Sequence, residues 1–314
     1  MNDAALKTSA QFCQLPPPLK PGDRLRVVLP SGPLRELERF EQGIQRWCDR
    51  NYAVQLPPDI QIRHGYLAGD DAYRRQQLLS ALSDPDCQGI LCGRGGYGGA
   101  RLLEDWQWPT GAAKWLIGFS DITSLLWSLC CQGYSGVHGP VLTTLATEPD
   151  WSWQRLLDWV EGRPVAPLTG TGWGGGRVVG KLLPANLTVA THLLFTAAAP
   201  DLSDSILALE DVGEAPYRLD RMLTQWRSSG QFNRVKGIAL GRFSQCEASG
   251  SGPSLTVAEV LRDRLADLGL PIVSDLPFGH DGENAALPVG MPACLDGDRG
   301  TLGVARHPDD FPQL

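Results

Sequence analysis

The amino-acid sequence predicts an α/β protein that is built on parallel sheets. Short apolar runs such as RLRVVL, QGILCG and WLIGF alternate with amphipathic segments through the first half of the chain. The second half alternates in a similar way, and a stretch rich in glycine and proline lies between the halves. Strands that alternate with helices form parallel sheets covered on both faces, and the glycine and proline run indicates a domain boundary.

The first domain is predicted to span residues 1–162, and hydrophobic periodicity places its helices. Charged and apolar residues interleave at helical spacing in LRELERFEQGIQRWCDR, and a second helix is expected from about Asp70 to Leu82. A third helix is expected to open at RLLEDW, and a fourth covers ITSLLWSLCCQG and ends on Gly133. These helices would connect the apolar strands.

Residues 163–180 are expected to form a linker between the domains, because glycine and proline are frequent there and helix formers are few. Residues 181–314 form the second predicted domain, which begins with a helix-like segment, LLPANLTVATHLLFTA. The later predicted elements are the strand SILALE, a helix from near Tyr217, the strand VKGIALGRF, the helix TVAEVLRDRLADLG and the strand PIVSDLPFG.

Composition and charge exclude several classes of partner. The formal net charge is -7 and the pI is near 5.3, whereas nucleic acids and anionic membranes select basic surfaces. No apolar run reaches the roughly 18 residues of a membrane span, and the N-terminal segment lacks the pattern of a secretory signal. The 8 cysteines show no CxxC spacing, which favours reduced thiols and a cytoplasmic location.

A serine stands where a buried strand meets a helix. In KWLIGFSDITSL the apolar run ends at Ser120, Asp121 follows, and the helical pattern starts at once. One interpretation is a helix cap, because serine and aspartate side chains satisfy the free N–H groups of a helix start. The other is a nucleophile on a sharp strand-to-helix turn, although only half of the GxSxG pattern is present.

A glycine-rich loop precedes this serine in GRGGYGGARLLEDW. Gly93, Gly95 and Gly98 formally satisfy GxGxxG between a strand and a helix, so a dinucleotide site is one interpretation. The loop follows a later strand than that motif requires, and no isolated acid ends a strand about 20 residues downstream. The second interpretation is an oxyanion hole, because such a loop exposes backbone N–H groups. A purely structural turn is the third.

A serine nucleophile needs a base and an acid that orients the base. Among the 5 histidines, His280 follows an apolar strand and is flanked by glycine and acids, and His138 is a loop-adjacent alternative. The strand SILALE ends in Glu210. A charged residue there can also cap a turn. The chain order Ser120, Glu210, His280 matches the nucleophile, acid and base of α/β-hydrolases, which predicts an active site between the two domains.

Together these segments resemble the LD-carboxypeptidase family of serine peptidases, the muramoyltetrapeptide carboxypeptidases. The resemblance runs in family order from Lys20 to Gly303 and is carried by LKPGDRLRVVLPSGP, CGRGGYGGARLL, IGFSDITSLL, HGPV, LALEDVGEAPYRLDRMLTQW, GIALGRF and LPFGHDGENAALPVG. One departure is Pro184-Ala185-Asn186, where family members often carry Gly-Gly-Asn. It touches none of the three candidate catalytic residues.

The resemblance implies a fold and an activity. The fold joins an N-terminal amidotransferase-like α/β domain to a smaller C-terminal α/β domain. The activity is removal of the terminal D-alanine from murein tetrapeptides, free or as UDP-MurNAc-tetrapeptide, by a cytoplasmic homodimer during cell-wall recycling. Ser120 would be the nucleophile, Glu210 the acid and His280 the base, without a metal or cofactor. The backbones of Gly96 and Asp121 would form the oxyanion hole.

Two further residues are candidates for substrate binding. Arg94, in the glycine loop, could bind the terminal carboxylate of the peptide by bidentate hydrogen bonds, or form an ordinary surface ion pair. Trp173, in the glycine-rich stretch, is the least core-like tryptophan and could stack on a sugar. One alternative activity resembles that of the microcin C self-immunity proteins, which cleave acyl-nucleotide antibiotics. Another is a non-catalytic protein that binds a nucleotide through the GxGxxG loop.

Overall fold

Two β-sheets organise the chain in the computed structural model, which describes residues 12–111, 113–248 and 252–311. The first sheet belongs mainly to the N-terminal half and the second to the C-terminal half. This arrangement confirms the prediction of a two-part α/β fold with parallel sheets.

The first sheet contains five parallel strands in the order β2-β1-β3-β4-β5. The strands are β1 (Arg24–Val28), β2 (Ala53–Gln55), β3 (Cys87–Cys92), β4 (Trp115–Gly118) and β5 (Val137–His138). The helices of this half are α1 (Leu37–Cys48), α2 (Asp71–Ser83), α3 (Thr123–Cys131), α4 (Leu142–Leu145) and α5 (Asp150–Val160). The carboxyl ends of the parallel strands lie at one edge, where α/β proteins place their ligand sites.

The second sheet has a parallel centre with antiparallel strands at both sides, in the order β6-β14-β13-β8-β9-β10-β11-β7. Its strands are β6 (Leu168–Thr169), β7 (Thr171–Gly172), β8 (Arg177–Asn186), β9 (Ser205–Val212), β10 (Gly237–Ser244), β11 (Ile272–Ser274), β13 (Pro292–Asp296) and β14 (Thr301–Val304). Its helices are α6 (Leu187–Leu193), α7 (Pro216–Ser228) and α8 (Val257–Leu265). Residues 163–180, the expected linker, contribute β6, β7 and the start of β8 to this sheet.

The two halves are joined by more than the covalent chain. Strand β12 (Leu287–Pro288) comes from the C-terminal half but pairs antiparallel with β5 at the edge of the first sheet. Helix α3 packs against β8 and α6 of the other half, and the indole of Trp127 donates a 3.0 Å hydrogen bond to the carbonyl of Pro184. These contacts hold α3 of the first half against the end of β8 in the second half.

Two predicted helices differ from the structure. LLPAN is the end of β8 rather than the start of a helix, and α6 begins only at Leu187, because Asn186 caps it by accepting a 3.0 Å hydrogen bond from the N–H of Val189. RLLEDW forms only a 3₁₀ turn at Ala100–Leu103, since the chain reverses at Asp105 with φ of 55°. At LLPAN, strand pairing with β9 overrides local helical periodicity.

The core is continuous and rich in tryptophan. Five tryptophans are almost fully buried: Trp47, Trp115, Trp127, Trp159 and Trp226. In the part of the chain that the structure describes, no helix combines the length and the apolar character that crossing a bilayer requires.

Candidate active site

Ser120 lies on a strained turn between β4 and α3. Strand β4 ends at Gly118, a 3₁₀ turn covers Ser120–Ile122, and α3 begins at Thr123. Ser120 has φ of 64°, in the left-handed region that non-glycine residues rarely adopt. Such strain costs of order 1–3 kcal/mol and is concentrated at functional sites. The side chain of Ser120 caps no helix N–H, so the turn has the geometry of a nucleophile elbow.

Close packing explains the glycine that precedes the elbow. A β-carbon on Gly118 would lie 3.0 Å from Cβ of Cys92 and 3.0 Å from Cγ1 of Ile122. The helix therefore approaches the strand more closely than a side chain at position 118 allows. Among the described residues, the hydroxyl of Ser120 makes no hydrogen bond, which leaves it free to turn toward a base.

Glu210 and His280 form a direct pair at the carboxyl end of the second sheet. Nδ1 of His280 lies 2.6 Å from Oε2 of Glu210, whose side chain is fully buried. A carboxylate at Nδ1 fixes the tautomer so that Nε2 is available to accept a proton. The ring of Phe119 lies 4.5 Å from that of His280, which brings the base to the residue beside Ser120.

The electrostatic environment makes His280 a stronger base. Burial alone would lower the pKa of His280, but the negative charge and hydrogen bond of Glu210 oppose it. Asp211 and Asp281 add negative charge nearby, and the pKa of His280 is raised above its usual 6.5. The adjacent carboxylate of Glu210 would stabilise the imidazolium that forms when His280 takes a proton from serine.

Asn186 contacts Glu210, the candidate acid, and its neighbour Asp211. Its Nδ2 donates to Oε1 of Glu210 at 3.3 Å and to Oδ1 of Asp211 at 3.0 Å. Its backbone N–H donates to Oγ1 of Thr123, at the first turn of α3, at 3.0 Å. The Pro-Ala-Asn segment that departs from the family pattern therefore connects the acid to the helix that follows Ser120.

The loop that carries His280 is built around a glycine. Gly279 has φ of 134°, and a β-carbon there would lie 3.3 Å from Oε2 of Glu210. The N–H of Gly279 donates to Oδ1 of Asn284 at 3.2 Å, and the N–H of Asn284 donates to Oε2 of Glu148 at 3.0 Å. These bonds hold the His280 loop against the first half of the chain.

The carboxylate of Asp121 ties the elbow to two loops of the first sheet. It accepts hydrogen bonds from Oγ of Ser31 at 2.5 Å and from the N–H of Gly99 at 2.7 Å. Burial raises the pKa of Asp121, against the lowering effect of these hydrogen bonds. The sequence suggested a helix cap or a backbone N–H donor at this position and did not indicate that the carboxylate of Asp121 binds Ser31 and Gly99.

The glycine loop passes close to Ser120. A β-carbon on Gly95 would lie 3.1 Å from Cβ and 3.3 Å from Oγ of Ser120. Gly96 has φ of 120°, which only glycine adopts readily. The loop leads into a 3₁₀ turn rather than an α-helix, and Asp121 already occupies the N–H of Gly99. This geometry favours the interpretation as an oxyanion loop over that as a nucleotide cradle.

A cavity of about 350 Å³ opens over these groups. Ser120 and His280 line it together, and Glu210 lies behind His280. Its lining residues are Glu36, Arg39, Arg94, Gly95, Gly96, Phe119, Ser120, Val141, Thr143, Thr144, Val212 and His280. The structure thus brings the three candidate catalytic residues and the glycine loop to one place between the two sheets.

The two candidate binding residues have different positions. Arg94 lines the cavity, with Nε 3.5 Å from the carboxylate of Glu36 and Nη1 3.3 Å from the carbonyl of Gly95. Trp173 does not line it. Its indole donates to Oγ of Ser274 at 2.9 Å and stacks 4.1 Å below the guanidinium of Arg262.

His138, the alternative base, is fully buried and lines no part of the cavity described above. Its ring packs edge-on against Phe119 at 6.0 Å. Burial lowers the pKa of His138 to about 4, and His280 adds to this while Glu210 opposes it. His138 is therefore neutral at physiological pH and has no access to the serine from the cavity.

Family models match both halves of the chain. The model described as the LD-carboxypeptidase N-terminal domain matches residues 25–139, and that of the C-terminal domain matches residues 179–295. A "Putative carboxypeptidase" of Synechocystis is 59% identical, covering 91% of this chain and 96% of its own. A murein tetrapeptide carboxypeptidase of Pseudomonas aeruginosa is 34% identical, covering 76% and 82%.

Solved structures share the fold over most of the chain. A muramoyltetrapeptide carboxypeptidase from Oxalobacter formigenes is 28% identical, with a TM-score of 0.79, covering 90% of this chain and 97% of its own. MccF in complex with glutamyl sulfamoyl guanosine has a TM-score of 0.84, covering 95% and 99%, but at 19% identity it shows the fold alone. The matched domains, the relatives and the fold agree, and the chain belongs to the LD-carboxypeptidase family, whose members are serine-type carboxypeptidases.

Proposed function

We propose that this protein removes the terminal D-alanine from murein tetrapeptides through a catalytic triad of Ser120, Glu210 and His280. The observation that carries the proposal is the shared cavity, in which the strained Ser120 and the Glu210-bound His280 meet under a glycine loop. Family membership supports the substrate class, because relatives named for murein peptides match most of the chain.

The reaction begins with proton transfer from Ser120 to Nε2 of His280, while Glu210 holds Nδ1. Oγ attacks the carbonyl carbon of the residue before D-alanine, and the carbonyl oxygen becomes an oxyanion. The backbone N–H groups of Asp121 and Gly96 receive this charge, and each such donor contributes roughly 3–4 kcal/mol in related enzymes. The close approach of the glycine loop to Ser120 supports this assignment.

The second half of the reaction releases both products. His280 returns its proton to the nitrogen of D-alanine, which leaves, and an ester joins Ser120 to the shortened peptide. A water molecule then gives a proton to His280 and attacks the ester carbonyl. Collapse of this second intermediate frees the tripeptide acid and restores the hydroxyl of Ser120.

The remaining attributes of the proposal follow from family resemblance and composition. We place the enzyme in the cytoplasm as a homodimer that acts on recycled cell-wall peptides, with residues 1–162 and 181–314 as its two domains. Its 8 cysteines, none of them in a disulfide, are compatible with a reducing compartment. Sedimentation equilibrium of the purified protein tests the dimer.

D-Alanine release is the measurement that tests the function. Purified protein and Ser120→Ala are incubated with free tetrapeptide and with UDP-MurNAc-tetrapeptide, and released D-alanine is quantified. We expect release by the wild type alone, and labelling of the wild type alone by a fluorophosphonate. Equal release by both proteins would overturn the role of Ser120. Cleavage of an acyl-sulfamoyl nucleoside without release of D-alanine would favour the acyl-nucleotide activity, for which Trp173 does not supply a stacking surface in the cavity.

A further inference from the structure

The rim of the cavity carries three charged side chains in addition to His280: Glu36, Arg39 and Arg94. The charges of Arg94 and Glu36 offset each other, because Nε of Arg94 lies 3.5 Å from the carboxylate of Glu36. Arg94 is further occupied by the carbonyl of Gly95, at 3.3 Å from Nη1. Arg94 therefore supports the glycine loop and has its charge balanced by the protein.

Arg39 is different. Within the described residues its guanidinium makes no hydrogen bond, ion pair or aromatic contact. It lies in the first turn of α1, three residues after Glu36, so both side chains lie on the same face of that helix start. It is exposed at the cavity that contains Ser120. The cavity thus presents one positive charge that the protein does not neutralise.

The size of the cavity limits what this charge can meet. A volume of about 350 Å³ is at the small end of ligand pockets. Ser120 and Arg39 line the same cavity. In a carboxypeptidase the group beyond the bond that is cut is one amino acid with a free carboxylate. Guanidinium binds a carboxylate by two parallel charge-assisted hydrogen bonds, which add geometric specificity to the attraction between the charges.

We propose that Arg39 binds the free terminal carboxylate of the substrate, and that Arg94 does not. The inference rests on the proposed function, because it assigns the residue that selects for a chain end at the same active site. It replaces the sequence-based assignment of Arg94 with an arginine that the sequence did not single out. Arg39 is a specificity-determining residue here, and the three catalytic residues keep their roles.

A substrate with its terminal carboxylate converted to an amide isolates this contact. Wild type, Arg39→Gln, Arg39→Lys and Arg94→Gln are assayed on the tetrapeptide acid and on the tetrapeptide amide, with release of D-alanine or D-alaninamide as the readout. Arg35→Gln is the matched control, since Arg35 is an exposed arginine nearby that does not line the cavity.

Loss of one charge-assisted contact predicts a fall of about 10- to 100-fold in kcat/KM of Arg39→Gln on the acid, mainly through KM. Activity of the same variant on the amide stays within about twofold of wild type, because that contact is already absent. Arg39→Lys recovers part of the loss, and Arg35→Gln matches wild type on both substrates.

Three results would overturn the assignment of Arg39. These are unchanged activity of Arg39→Gln on the acid, an equal loss on acid and amide, and an acid-specific loss in Arg94→Gln alone. Wild type that releases no D-alanine from the acid would instead reject the proposed function, and with it the inference. Fluorophosphonate labelling of Ser120 at the wild-type rate in Arg39→Gln shows that the catalytic residues remain assembled.

Discussion

Nδ1 of His280 lies 2.6 Å from Oε2 of a fully buried Glu210. The two residues are 70 positions apart in the chain, on the carboxyl end of β9 and on the loop after β11. Within the part of the chain that the structure describes, the carboxylate of Glu210 has hydrogen-bond partners in His280 and Asn186. The charge of Glu210 therefore bears directly on the proton affinity of His280.

Glu210→Gln tests the electrostatic part of this pair. Glu210 opposes the effect of burial and raises the pKa of His280, and the base acts only when neutral, so the acidic limb of kcat/KM lies above pH 6.5 in the wild type. In the variant the pKa of His280 falls, and the limb moves to lower pH. The plateau rate falls about 10³- to 10⁴-fold because the tautomer is no longer fixed. The pH profile of kcat/KM and an NMR titration of His280 measure both effects.

Glu259→Gln is the control for that experiment, since Glu259 is an exposed carboxylate in the capping box of α8. It leaves the titration of His280 unchanged. A titration of His280 that does not move in Glu210→Gln would contradict the electrostatic role of Glu210.

The elbow predicts a difference between two inactive variants. Ser120→Ala and Ser120→Gly both lose the nucleophile, and D-alanine release falls about 10⁴-fold or more in each. Only glycine relaxes the backbone at φ of 64°. We expect Ser120→Gly to be more stable than Ser120→Ala by roughly 1 kcal/mol in the free energy of unfolding, even though glycine gains chain entropy when unfolded. Urea denaturation of the two variants measures the difference, and equal stability would argue against strain at the elbow.

Gly95→Ala is predicted to reduce catalysis without unfolding the protein. Its new methyl group would lie 3.1 Å from Cβ of Ser120 and must displace either the serine or the loop. We expect kcat to fall about 100- to 1000-fold, the cost of losing one oxyanion donor, with circular dichroism unchanged. Gly111→Ala is the matched control, because nothing lies within 4 Å of a β-carbon there. Wild-type kcat in Gly95→Ala would contradict the oxyanion role of the loop.

Asn186→Ala is predicted to lower both stability and activity. The amide donates to Glu210 and Asp211, and its oxygen caps α6. Burial already raises the pKa of Asp211, so the loss of a donor leaves a buried carboxyl less well satisfied. We expect about 2–4 kcal/mol of destabilisation, of which about 1 kcal/mol is the cap, and at least a tenfold fall in kcat because Glu210 is released.

Thr256→Ala separates the cap from the site. Thr256 caps α8 by accepting from the N–H of Glu259 at 3.2 Å, and none of its partners is a triad residue. Its loss costs about 1 kcal/mol with unchanged kcat. Thermal unfolding and D-alanine release on both variants give the comparison. Equal effects of the two substitutions on kcat would reject a special role for Asn186.

The local pattern of the chain was sufficient to predict most of the elements. Strand WLIGF and helix α2 follow from apolar runs and from an N-cap, Asp70, whose carboxylate accepts from the N–H of Tyr73. Ser120, Glu210 and His280 were singled out because each ends an apolar strand or follows one. Side chains at the carboxyl ends of parallel strands converge at one edge of a sheet. The rule needs only the positions of strand ends along the chain, and it predicts which side chains lie close together in the folded protein.

The positions of the other residues of the site depended on tertiary structure. Periodicity assigned LLPAN to a helix, but parallel pairing with β9 extends it as a strand that ends at Asn186. No pattern near Asn186 or Arg39 indicated a role. Asn186 bridges the carboxylates of Glu210 and Asp211, which lie more than 20 positions away in the chain. That Arg39 has no partner among the described residues also depends on the surrounding fold. The glycine-rich surroundings of Trp173 predicted the least core-like tryptophan. In the structure Trp173 follows β7, and its indole contacts Ser274 and Arg262.

The strand ends, the turn residues and the order of Ser120, Glu210 and His280 along the chain were enough to propose a chemistry for this protein. Which groups lie in contact depended on the tertiary fold. The buried partner of His280 and the set of charges around the cavity both depend on residues that come together from separate parts of the chain. Local sequence encodes backbone preference, but hydrogen-bond satisfaction and charge compensation are properties of residues that are distant in the chain and close in space.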